Sequence, residues 1–187
     1  EFELKNRYPI IYEHLISFKQ IMIDKRLSNN EKGEQWFTLH RGRNPQLFTS
    51  PKIVCPQRSN VNTFGYNECD WYASADVYYI TNPNKDYHIK YILGLLNSKL
   101  YYVWLYHKGK RKGETLELYQ KPLSEIPIKK ASSDIQNSIV KIVDEIIALK
   151  KTNPNHDTSS LERQIDVIVY KIYALTDAEI KIIEQSI

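Results

Sequence analysis

Four cations fall within five residues at Lys108-Gly109-Lys110-Arg111-Lys112-Gly113, and the chemistry that such a stretch offers is contact with a polyanion. A buried segment could not hold four unpaired cations, so the spacing predicts a basic loop in solvent, with glycines that let the backbone bend. Two further clusters share this character. His40-Arg41-Gly42-Arg43-Asn44 with Gln46 is one, and Lys52 with Gln57-Arg58-Ser59-Asn60 is the other. Arginine forks and side-chain amides suit guanine and adenine edges, whereas lysine suits phosphate as a point charge. On that chemistry the candidates for base readout are Arg41, Arg43, Gln46, Arg58, Asn60 and Arg111. The candidates for phosphate contact are Lys52, Lys108, Lys110, Lys112 and Lys121.

Other chemistries find no support in the chain. Gly94, Gly109 and Gly113 match neither nucleotide-binding glycine spacing. No nucleophile motif occurs, and Cys55 and Cys69 form no metal pattern with the scattered histidines. Glu179-Ile180-Lys181 has the acidic-to-lysine spacing of some metal-dependent nucleases. It lies among Ile180, Ile182 and Ile183 in an amphipathic segment, however, and reads as surface charge on a helix. No catalytic or metal-binding residue is assigned. Twelve aromatic residues fall between Phe64 and Tyr106; stacking on unpaired bases is weighed against core packing, and the apolar neighbours favour packing.

The net charge of +4 hides an uneven distribution. Trp36–Lys130 holds fourteen basic and seven acidic residues, whereas Ala131–Ile187 holds six basic and nine acidic. A basic middle beside an acidic tail favours a polyanion on one face. No apolar run reaches the roughly 18 residues of a membrane span, and no signal peptide is visible. Two cysteines argue against a disulfide framework, so a cytoplasmic location is expected. The chain opens at Glu1 rather than Met, which suggests a module of a longer protein.

The elements that must position these clusters follow from periodicity. Pro9–Lys25 is predicted helical, with Ile11, Leu15, Phe18 and Met22 on one stripe. Leu27–Gln35 reads as a polar connector. Trp36–Leu39, Lys52–Cys55, Asp70–Ala73 and Val77–Ile80 are predicted strands, followed by a turn at Asn82-Pro83-Asn84. His88–Asn97 and Ser98–Tyr106 are predicted helices, and Thr115–Tyr119 and Glu125–Ile128 two more strands. The pairs Ser133/Gln136, Ser159/Glu162 and Thr176/Glu179 predict capping boxes opening three C-terminal helices.

Taken in order, these pieces resemble the TaqI-like C-terminal specificity domain of type IIG restriction–modification enzymes. The resemblance runs from Tyr8-Pro9-Ile10-Ile11-Tyr12 with Leu15, through Trp36-Phe37, Phe48 and Pro51-Lys52-Ile53-Val54, to Asp76-Val77-Tyr78-Tyr79-Ile80. It continues in Leu93-Gly94-Leu95-Leu96-Asn97-Ser98-Lys99-Leu100 and Leu123-Ser124-Glu125-Ile126-Pro127-Ile128. Gln136 with Ile139, Glu162, Ile165-Asp166, Val169-Tyr170 and Leu175-Thr176 complete it. The chain is also similar to the recognition domains of type I specificity subunits. The resemblance implies a lobe that reads double-stranded DNA and a helical spacer or docking segment. It further implies a parent with an N-terminal adenine methyltransferase using S-adenosylmethionine, and often a nuclease using Mg2+, in phage defence. The Asn-Pro-Pro-Tyr motif of the methyltransferase and the nuclease carboxylates are missing here, so the chain is expected to bind without catalysing.

The fold expected is a mixed α/β (α+β) target-recognition lobe with short strands and two central helices, followed by a C-terminal helical segment. Residues 1–130 would form the DNA-recognition domain and residues 131–187 the spacer or docking segment. The expected partners are double-stranded DNA and the catalytic methyltransferase/nuclease part of the same parent. The rival expectation is a protein-interaction module docking through its C-terminal helices.

Overall fold

The computed structural model describes residues 1–31, 35–38, 44–81 and 84–186. The chain forms two compact units, Glu1–Asn44 and Pro45–Ile187.

The first unit contains α1 (Phe2–Arg7), α2 (Pro9–Ile16) and α3 (Lys19–Ser28). The single helix predicted over Pro9–Lys25 is therefore broken. Ser17 Oγ donates to the His14 carbonyl at 2.8 Å, so a side chain competes for the turn where the ladder stops. The helix resumes past Phe18 and runs on into the predicted connector. Trp36–Thr38 is a turn rather than a strand, closed by Thr38 N and Oγ1 on the Gln35 carbonyl at 3.2 and 2.8 Å. Leu39 lies outside the described residues, as does the Asn82-Pro83 part of the predicted turn.

The second unit opens with the short α4 (Gln46–Thr49) and then builds two antiparallel sheets. In the first, β1 (Lys52–Pro56) lies between β3 (Gly65–Asn67) and β4 (Val77–Ile80). In the second, β6 (Thr115–Glu117) lies between β2 (Arg58–Ser59) and β5 (Lys110–Lys112). Gln57 joins them: its N–H donates to the Asp76 carbonyl at 2.9 Å and its carbonyl accepts from Leu118 N at 2.8 Å. The chain thus leaves one sheet and enters the other within a few residues.

Two helices, α5 (Ile89–Leu96) and α6 (Lys99–Lys108), form the centre, with α7 (Gln120–Ser124) after the second sheet. Then come α8 (Ser133–Thr152), α9 (Ser159–Tyr173) and α10 (Asp177–Gln185). Ile53 and Cys55 of β1, Leu95 of α5, Leu105 of α6, Leu116 and Leu118, Ile139 of α8 and Val169 of α9 share one buried core. Burial pushes the Cys55 thiol up to about 12, which makes it an inert core residue. The C-terminal helices and the sheets are therefore built on common packing. α5 approaches α8 closely because Gly94 has no side chain: a Cβ there would stand 2.5 Å from Ile139 Cγ2. Asp166 of α9 accepts from Lys99 N at 2.9 Å and so caps α6 from another element. Burial raises the Asp166 carboxyl above its ordinary range.

The mixed architecture agrees with expectation, and several elements correct it. Asp70–Ala73 makes no ladder; Trp71 N instead donates to the Phe48 carbonyl at 3.1 Å. Glu125–Ile128 is not a strand, because tyrosine hydroxyls occupy this region's carbonyls. Tyr101 bonds the Pro127 carbonyl at 2.7 Å and Tyr91 bonds that of Lys129 at 2.6 Å. Of the three expected capping boxes, only Thr176/Glu179 forms in full. The cap of α8 is Ser132, and Gln136 instead ties α8 to the chain entering α5. Its Oε1 accepts from His88 N at 2.8 Å while Nε2 donates to the Asp86 carbonyl at 2.9 Å. Thr158, not Ser159, precedes α9, and its Oγ1 donates to Glu162 at 2.6 Å.

Candidate nucleic-acid interface

The basic stretch is no loop but the end of α6 and a strand. Lys112 pairs with Thr115 across a two-residue turn whose first residue, Gly113, has φ +62°. Glycine is favoured there because L side chains rarely adopt that backbone. Once the turn is made, Lys110 faces Glu117 and Arg111 faces Leu116. On the other side of β6, Arg58 also faces Glu117 and Ser59 faces Leu116.

Alternation then separates two faces. Leu116 and Leu118 point into the core, at 0% and 1% exposure. Thr115, Glu117 and Tyr119 share the opposite face, together with Lys110, Lys112, Arg58 and Asn60. Asn60 Oδ1 accepts from Thr115 Oγ1 at 3.2 Å. At the middle of this face, Lys110 Nζ lies 2.9 Å from Glu117 Oε2 and Arg58 Nη2 lies 3.5 Å from Oε1. The same Arg58 Nη2 donates to the Tyr119 hydroxyl at 3.1 Å, and Lys110 Nζ sits 5.1 Å from the Tyr119 ring centroid. The hydrogen bond from Lys110 holds the Glu117 carboxyl below its usual range, against the opposing effect of desolvation. The bond to Tyr119 raises Arg58 further. Beside this row, Lys108, Lys110, Tyr119 and Lys121 border a shallow depression of about 370 Å³.

The structure therefore gathers Arg58, Asn60, Lys110 and Lys112 on one face, with Lys108 and Lys121 at its margin. It sets two of the expected residues apart. Arg111 lies on the other side of β5, its guanidinium 3.8 Å from the Tyr106 ring centroid. Lys52 is fully buried, and its ammonium donates to the carbonyls of Phe48, Ser50 and Cys69 at 2.7, 3.1 and 2.8 Å. Three carbonyls satisfy its three donors, so Lys52 is a structural cation and not a phosphate contact. Gln46 is exposed at the first residue of α4. Arg41 and Arg43 lie outside the described residues.

Sequence reasoning missed Glu117 and the part played by Tyr119. The alternation Thr115-Leu116-Glu117-Leu118-Tyr119 carried the signal, since period two puts both on the polar side. The surplus of positive charge is also more localised than composition suggests. Lys90 pairs with Asp144 at 2.5 Å, Lys99 pairs with Glu184, and Lys130 pairs with Asp86 at 2.8 Å. Carboxylates of α8 and α10 thus neutralise lysines of the central helices. Among the described residues no three His, Cys, Asp or Glu side chains gather as metal ligands, and no helix is long and apolar enough to cross a membrane.

Over residues 5–128 the chain matches the TaqI-like C-terminal specificity domain. It is similar to the type II methyltransferase M.MjaIV of Methanocaldococcus jannaschii, 32% identical over 171 residues that cover 88% of this chain and 55% of that protein. To the type II methyltransferase M.HincII of Haemophilus influenzae it is 27% identical over 180 residues, 92% of this chain and 35% of the relative. The type II methyltransferase M.HindII of Haemophilus influenzae is 26% identical over 180 residues, with 34% of its length covered. The chain spans about half or less of the length of these relatives. It belongs to the family of TaqI-like C-terminal specificity domains.

Proposed function

We propose that this chain is a sequence-specific reader of double-stranded DNA that binds without catalysing and positions a separate methyltransferase part of its parent. The observation that carries the reading is the outer face of β2-β6-β5, where a guanidinium, an amide and two ammonium groups from separate stretches of sequence come together. Arg58 and Asn60 are assigned to base edges; Lys108, Lys112 and Lys121 are assigned to phosphates. Arg111, over Tyr106 on the other side of β5, is left out of this face. Arg41, Arg43 and Gln46 remain base-readout candidates on residue chemistry.

S-adenosylmethionine and Mg2+ belong in this reading to the parent's catalytic part. The sequence offers no glycine-rich nucleotide loop and no Asn-Pro-Pro-Tyr motif to hold them. Residues 131–187 act as the support and docking segment, with the half-exposed or exposed apolar side chains of Ile135, Val167 and Ile182 available to the catalytic part. A nuclease in the parent and a cytoplasmic setting in phage defence complete the proposal.

The test is selection of duplexes from a randomised-sequence library by the 187-residue chain. Enrichment of one common motif supports the reading. Absence of any binding at low salt, together with self-association lost on Ile182→Ser, favours a protein-interaction module working through its C-terminal helices.

A further inference from the structure

Glu117 points to the outer face yet is only 5% exposed. Its cover is not the core. Lys110 from β5 and Arg58 from β2 close over it from either side, one on each carboxylate oxygen, and Tyr119 completes the enclosure by accepting from Arg58 and lying under Lys110. The register makes this unavoidable, because both cations are the cross-strand partners of the same residue.

A carboxylate at the centre of a phosphate-gripping surface works against affinity, since it repels the backbone and cancels a neighbouring ammonium. What it contributes is geometry. Arg58 is more than half exposed, and among the described residues only its Nη2 is engaged, so Nε and Nη1 stay open. Held at one end, that fork loses little further rotamer freedom on meeting a base edge. Lys110, by contrast, is occupied at 2.9 Å and stands over a ring.

We propose that Glu117 is a positioning residue for specificity: it clamps Arg58 for base readout and removes Lys110 from phosphate contact, leaving Lys108, Lys112 and Lys121 to grip the backbone. This rests on the reading of the β2-β6-β5 face as the DNA-reading surface. It predicts opposite changes in affinity and discrimination. Glu117→Gln keeps the side chain's shape and frees two cations. Binding to a scrambled duplex should tighten, and the dependence of log affinity on log salt should steepen by about 1. Preference for the selected duplex should fall by roughly tenfold.

The experiment measures binding of the 187-residue chain to its selected duplex and to a scrambled duplex of equal length across a salt series, with thermal unfolding alongside. Arg58→Lys is the companion variant: it keeps the charge and Glu117 but loses the fork, and should lose preference without tightening on scrambled DNA. If Glu117→Gln keeps the parent's preference and salt slope, or weakens both duplexes equally, the proposal is overturned while the DNA-reading assignment stands. If Glu117→Gln does not fold, the companion decides, and full preference in Arg58→Lys overturns the proposal. A parent chain that binds neither duplex overturns the DNA-reading assignment itself.

Discussion

Arg58 Nη2 donates to the Tyr119 hydroxyl at 3.1 Å, across 61 residues of sequence. That contact ties the second strand of the unit to the segment entering α7, and the same ring lies beneath Lys110. A cationic side chain from each outer strand of the sheet is thus registered on one aromatic residue and one carboxylate. The outer face of this sheet is a built surface, and its parts can be separated by mutation.

Tyr119→Phe removes the acceptor for Arg58 and keeps the ring under Lys110. It should lower preference for a selected duplex by about threefold to tenfold, in line with about 1 kcal/mol for one hydrogen bond, and leave binding to scrambled DNA unchanged. Competition binding with the two duplexes checks this.

Lys52→Met should act on stability and not on DNA. The ammonium donates to three carbonyls at a fully buried position, and its loss leaves them without that donor. A loss of about 2–4 kcal/mol is expected in urea unfolding, with the salt dependence of DNA binding unchanged. A shallower salt slope with unchanged stability would return Lys52 to the phosphate contacts.

Gly94→Ala should destabilise the packing of α5 on α8. The added Cβ would meet Ile139 Cγ2 at 2.5 Å and Val143 Cγ2 at 3.3 Å, both on buried β-branched side chains. A loss of about 1–3 kcal/mol, read as a fall in Tm of roughly 3–10 °C, is the expected outcome.

The charge state of Glu117 sets a pH dependence. Its carboxyl titrates below the ordinary value of 4.5 because Lys110 bonds the ionised form. A lowered carboxyl favours the folded state above its unfolded value, and that contribution disappears as pH falls through the folded one. The difference in Tm between the parent chain and Glu117→Gln should therefore be constant above about pH 5 and shrink below about pH 4.5. A difference that widens on acidification would contradict the assignment.

α1, α4 and α7 were not foreseen and the helix expected over Pro9–Lys25 is broken, but the starts of α8 and α9 were legible, each within a residue of the expected cap. The edges of the sheets were not. Lys110-Arg111-Lys112 has no strand propensity, and only pairing with Leu116 and Glu117 makes it one. Glu125–Ile128 has the composition of a strand, but distant tyrosines satisfy the carbonyls at Pro127 and Lys129, a demand no local pattern reveals. Lys52 shows the same limit at the level of a site. Its neighbours in sequence suggested a phosphate contact, while its neighbours in space are carbonyls. Glu117 was readable in principle from alternation, but its value lies in being opposite two cations at once, which is a property of register.

On the reading proposed, the outer face of β2-β6-β5 reads duplex DNA, with guanidinium and ammonium groups doing different jobs. The most direct measurement is binding of a selected and a scrambled duplex by the parent chain, Arg58→Ala and Lys112→Ala, each across a salt series. With about four phosphates engaged, the parent's log affinity should fall with log salt at a slope of roughly −3 to −4. Lys112→Ala should weaken both duplexes alike and reduce that slope by about 1, whereas Arg58→Ala should weaken the selected duplex alone. Parent-like binding of both duplexes by both variants would contradict a DNA-reading role for this face.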